Sequence, residues 1–228
     1  MIDIHVDKAV DLLSQPVYLD EMGELYDTAI FNDYDVEYGA TKITIILDDF
    51  VLKTSVEGYM IDHYVNNEVV RSVKRDFDKD RSNAALVEYK LYLKAIDYGV
   101  DQFFAKVEQI NDKVFKQEKV DFCFDSFDDV IEEIRKENQK FLGVYSFYEL
   151  CEQVELLDNL SDYFGPKTAL YLFRLYDEES LVRLMNFLAK YDINDLHDGN
   201  VGITEEGDFK IFDFSGFDSC TRGLINLE

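Results

Sequence analysis

Lys42-Ile43-Thr44-Ile45-Ile46-Leu47 is a β-branched run that breaks at Asp48-Asp49 and resumes as Phe50-Val51-Leu52-Lys53-Thr54. That pattern predicts two strands joined by a tight turn. A second hairpin is predicted late in the chain. Val201-Gly202-Ile203-Thr204 is one strand, Glu205-Glu206-Gly207-Asp208 the turn, and Phe209-Lys210-Ile211-Phe212 the return. Elsewhere the apolar period is helical. Asn83 to Ile96 reads as a helix with Ser82 or Asn83 as its cap. Asp125 to Leu142 and Ser146 to Leu157 are amphipathic, and Lys167 to Tyr176 follows Pro166, which suits a first helical turn. Glu178 to Tyr191 places Leu181, Leu184, Met185 and Leu188 on one face, read as core. Phe103-Phe104-Ala105-Lys106-Val107 and Val114 to Val120 read as two further strands. Residues 57–80 read as an inserted helix with a charged loop, Lys74 to Arg81.

The 228 residues, 47% of them hydrophobic, can form one large domain or two lobes. Two Pro and eleven Gly leave no Pro- or Gly-rich linker, so a short connection is expected. There is no apolar run of membrane-spanning length. Met1-Ile2-Asp3-Ile4-His5 lacks a basic region followed by an apolar stretch, so the expected location is the cytoplasm. Cys123, Cys151 and Cys220 are odd in number and scattered, which points to reduced thiols and no zinc site.

The late hairpin carries the candidate chemistry. Asp195-Leu196-His197-Asp198-Gly199-Asn200 enters it, and Asp213-Phe214-Ser215-Gly216 leaves it. Folding the chain back brings Asn200 and Asp213 together. An amide oxygen and a carboxylate converging there suit Mg²⁺, a hard cation that takes oxygen ligands and keeps some waters and substrate phosphates. Asp195, on the entering loop, could accept a proton from a hydroxyl nucleophile. The competing reading is an acidic hairpin with an Asn-capped turn.

The order and spacing of Asp195, Asn200 and Asp213 resemble the protein-kinase-like superfamily, and the local wording is closest to small-molecule and atypical kinases. Ile193-Asn194 stands where protein kinases carry His-Arg. The resemblance implies Asp195 as catalytic Asp and Asn200 and Asp213 as metal ligands. Lys53 would be the strand-three Lys that holds the α- and β-phosphates of ATP, although a surface Lys on an edge strand is the plainer reading. Glu88, 35 residues later, resembles the helix Glu that pairs with it; Glu68 is the competing candidate. Gln117-Glu118-Lys119-Val120-Asp121 would be the hinge, with adenine bonding backbone near Glu118. The implied fold is α+β with two lobes, 1–120, β-rich and nucleotide-binding, and 121–228, reduced and mostly helical.

Within Asp33-Tyr34-Asp35-Val36-Glu37-Tyr38-Gly39-Ala40-Thr41-Lys42, the expected phosphate turn, Gly39 alone lets backbone approach a phosphate closely, and three carboxylates stand beside it. Twelve residues follow Gly216, so the expected form is a reduced core without activation segment or peptide platform, like the compact kinase-like proteins of phages and bacteria. The net charge of −25 repels nucleic acid backbones, so no direct nucleic acid partner is expected. Residues 121–158 alone hold eleven acidic and three basic side chains. The function expected from the resemblance is Mg-ATP-dependent phosphoryl transfer to a hydroxyl of a protein or small molecule. The alternatives are a pseudokinase that binds nucleotide without transfer, and an acidic inhibitor or adaptor that docks a basic or nucleic-acid-binding protein.

Overall fold

The computed structural model describes residues 4–66, 68–74, 83–120, 154–194 and 196–214. Two compact units share the chain, which passes from one to the other after Leu93, Ala105 and Lys119.

Unit 1 is built on a five-stranded antiparallel sheet. Its strands are β2 (Asp35–Tyr38), β3 (Lys42–Ile46), β4 (Phe50–Ser55), β7 (Val107–Gln109) and β8 (Phe115–Glu118). They lie in the order β2-β3-β4-β8-β7, so β4 is central. The alternation of β3 explains its two faces. Ile43 and Ile45 join Leu52 and Val114 in a core with Ala9 and Leu13 of α1 (Ile4–Leu13), while Lys42 and Thr44 point to the opposite face. Directly opposed residues share a face, so Lys53, paired with Thr44, and Ser55, paired with Lys42, project with them. Helix α2 (Ala84–Tyr98) begins there, because the Ser55 hydroxyl accepts the Ala85 amide at 3.0 Å and satisfies one of the helix's unpaired first-turn donors. Its residues 84–93 belong to unit 1.

A second sheet in unit 1 has the order β1-β5-β6, from β1 (Tyr18–Leu19), β5 (Gly58–Val65) and β6 (Glu68–Lys74). The helix expected within 57–80 is therefore a β-hairpin. Its β5–β6 register runs from Tyr59 opposite Lys74 to Val65 opposite Glu68, and Asn66 supplies the left-handed turn residue at φ 53°. β-Branched valines at 65, 69, 70 and 73 favour the pleated form. The strand expected over Phe103–Val107 is also corrected. Asp101–Phe103 is a 3₁₀ turn, Phe104 is extended and makes an isolated parallel bridge to Ile211, and the strand of the five-stranded sheet starts at Val107. Phe103 and Phe104 are buried in unit 2, against Tyr176, Phe187 and Phe214, which takes both out of the five-stranded sheet.

In unit 2, α3 (Glu155–Ser161), α4 (Pro166–Leu175) and α5 (Glu178–Tyr191) pack on one another through Leu157, Leu160, Leu170, Leu172, Leu181, Leu184, Phe187 and Leu188. Met185, expected in this stripe, is half-buried, and Phe187 is its fully buried neighbour. The helix expected over 125–142 falls outside the described residues, and so does the one expected over 146–157 except for 154–157, where α3 begins. Asp177 caps α5 by accepting the Ser180 amide and hydroxyl, each at 2.9 Å; these bonds hold its carboxyl below the usual range. Asp192, at φ 54°, ends α5, and the Ile193 amide bonds back to Leu188 at 2.9 Å. Among the described residues no helix is long and apolar enough to cross a membrane.

Candidate functional site

Two charged clusters stand out, one in each unit. In unit 1, Glu88 lies in the buried stripe of α2 between Ala84, Ala85, Leu91 and Ala95. A carboxylate there is costly unless it meets cations. Its Oε1 is 2.6 Å from Lys42 Nζ and its Oε2 is 3.5 Å from Lys53 Nζ. All three are nearly sealed from solvent, at 1% exposure for Glu88 and 6% for each Lys. Lys53 is on the central strand between Thr44 and Phe115, and Phe115 packs on Tyr89 of α2 at 5.7 Å between ring centres. The sheet thus fixes the stem of Lys53, and α2 fixes its carboxylate partner.

Lys53 is accordingly a buried residue of the central strand, and the edge-strand surface reading does not hold. Glu68 lies exposed on β6, whereas Glu88 meets Lys53. The sequence reading missed Lys42 as a partner of Glu88. Its signal was the register: Lys42 is two residues from Thr44, the residue paired with Lys53, so both lysines occupy one face.

Gly39 sits in the turn between β2 and β3, and its amide donates to the Lys42 carbonyl at 2.9 Å. Asp35 and Glu37 on β2 are exposed. Glu118 ends β8. Its amide donates to the Lys106 carbonyl at 2.9 Å and its carboxylate accepts the Lys106 amide at 3.0 Å, so that amide is committed to the sheet.

In unit 2 the expected hairpin is present as β9 (Val201–Ile203) and β10 (Phe209–Ile211), with Val201 opposite Ile211. Gly207 takes φ 90° in the connecting turn, a conformation L side chains rarely adopt. Beyond the last pair the strands remain close. The Asn200 carbonyl accepts the Phe212 amide at 3.0 Å and the Asp213 amide at 3.4 Å. Asn200 and Asp213 are therefore neighbours by backbone hydrogen bonding. Asn200 is buried and Asp213 half-buried. Phe214 anchors the exit edge-on to Phe104 at 5.0 Å. On the entry side Leu196 bridges to Phe164, and the His197 ring accepts the Gly199 amide through Nδ1 at 3.0 Å. A Cβ at 199 would fall 2.8 Å from that ring, so a larger residue there would displace it. Asp195 lies outside the described residues.

Among the described residues no three His, Cys, Asp or Glu side chains gather as a metal site. The donor pair of Asn200 and Asp213 is all-oxygen and small, which fits Mg²⁺ with waters and phosphate oxygens completing its shell and does not fit zinc. No protein-family model, curated protein or solved structure matches the chain.

Proposed function

We propose that the chain is a reduced protein-kinase-like phosphotransferase, a two-lobed α+β protein that moves the γ-phosphoryl group of Mg-ATP to a hydroxyl of a protein or small molecule. The observation that carries this reading is the buried contact of Lys53 with Glu88 at 3.5 Å. Lys53 is on the third strand of the five-stranded sheet, Glu88 is on α2, which comes after the β5–β6 hairpin, and two more strands of the five-stranded sheet come next. A sealed ion pair is a poor way to fill a core, because apolar residues of similar volume are often as stable or more so. A fixed cation at that place is useful to a phosphate-binding protein.

Lys53 then holds phosphate oxygens as a point charge, with Glu88 keeping its ammonium in place. Asn200 and Asp213 offer hard oxygens to the metal, which when bound neutralises charge on the transferring group. Asp195 is the group assigned to accept the hydroxyl proton. Positioning by a rigid sheet and a backbone-closed hairpin supplies the rest.

Calorimetric titration with ATP, with and without Mg²⁺, tests this on the full chain and on Asp213→Ala. Saturable, Mg²⁺-dependent binding is expected, weakened about tenfold or more in the variant. Asp195→Ala should keep binding and lose transfer. No binding by the unaltered chain with any divalent metal sinks the reading. It favours the acidic scaffold instead, which the net charge of −25 supports.

A further inference from the structure

Glu88 is approached more closely by Lys42, at 2.6 Å, than by Lys53, at 3.5 Å. One carboxylate thus seats two ammonium groups, one on each oxygen, and holds two like charges side by side against their repulsion. Such an arrangement is complementary to an anion with several adjacent charged groups. Lys42 is also the first residue after the Gly39-Ala40-Thr41 turn. The backbone of that turn is partly committed. The Gly39 amide bonds the Lys42 carbonyl at 2.9 Å, and the Thr41 carbonyl accepts the Val56 amide at 2.8 Å. A turn this short, with a single glycine, offers few amides to a phosphate chain.

We infer that Lys42 is a second phosphate-positioning cation, sharing Glu88 with Lys53, and that together they select a nucleoside di- or triphosphate over an unphosphorylated nucleoside. The inference rests on the phosphotransferase reading and adds a residue to it. Lys42 supplies from a side chain what a glycine-rich loop supplies from its backbone.

The plain alternative is that Lys42 only straps α2 to the sheet. Calorimetry with Mg-ATP, Mg-ADP and adenosine separates the two on the full chain. The variants are Lys42→Gln, which keeps a donor for Glu88, and Lys42→Met, which keeps the apolar stem. Either one that folds by circular dichroism decides. The expected result is a loss of about 10- to 100-fold for ATP and ADP with adenosine unchanged, and partial recovery in Lys42→Arg. If Lys53→Gln loses ATP while Lys42→Gln binds it as the unaltered chain does, the inference is overturned and the phosphotransferase reading stands. An equal loss for adenosine and ATP also overturns it, because the damage is then structural. No nucleotide binding by the unaltered chain overturns both.

Discussion

The clusters around Glu88 and around Asn200 are built by opposite means. At Glu88, side chains from two strands and a helix are drawn out of water, and partners 35 and 46 residues apart depend on one another's charge. At Asn200, backbone bonds of a hairpin do the placing, and the two candidate ligands are thirteen residues apart. The first cluster should therefore be sensitive to the loss of any one charge. The second should keep its stability through side-chain changes and be sensitive to the shape of its backbone.

Glu88→Ala is expected to have the largest effect. It leaves Lys42 and Lys53 facing each other without that carboxylate, and breaking a buried pair in this way costs about 3–5 kcal/mol. Urea unfolding followed by circular dichroism measures it. A loss under about 1 kcal/mol, the range of surface pairs, would break the contrast. Gly207→Ala comes next. The new Cβ meets nothing within 4 Å, so the cost is that of holding φ 90° with a side chain, about 1–3 kcal/mol. The same urea titration reads it, and a neutral result would remove backbone shape as the device that pairs Asn200 with Asp213.

The smallest effect lies beside the hairpin. Burial pushes the Tyr176 hydroxyl up to about 12, and the charge of Asp208 in the hairpin turn adds to the shift. The folded chain keeps this proton after the unfolded chain begins to release it near 10.0. The stabilisation is thus complete below pH 10 and is lost as pH rises toward 12. Thermal unfolding across that window should fall less steeply for Tyr176→Phe than for the unaltered chain. Identical slopes would mean the hydroxyl is not sealed by its neighbours.

The strands over 42–46 and 50–55, helices α2 and α5, and the late hairpin were legible because each carries its own period and punctuation. Lys53 and Glu88 were legible as a pair only through the resemblance to protein kinases, which left Glu68 as a competitor until the fold placed Glu88 against Lys53. The hairpin of β5 and β6 was missed, although Asn66-Asn67 between valine-rich runs is a turn signal. Phe103 and Phe104 have strand propensity, but Phe103 closes a 3₁₀ turn and Phe104 bridges Ile211 in unit 2, so neither extends β7. Lys42 was legible as the start of a strand and not as a partner of Glu88. Its role depends on which residue stands opposite Thr44, and register is settled by pairing across the sheet rather than by the strand itself.

Glu88 has one more consequence, for how contributions at this cluster can be divided. Because its two oxygens serve different cations, removing either Lys changes the setting of the other. Energies from single variants at Lys42 and Lys53 therefore do not sum to that of the double variant. The coupling belongs to the triad, and a share assigned to one lysine alone has no fixed value.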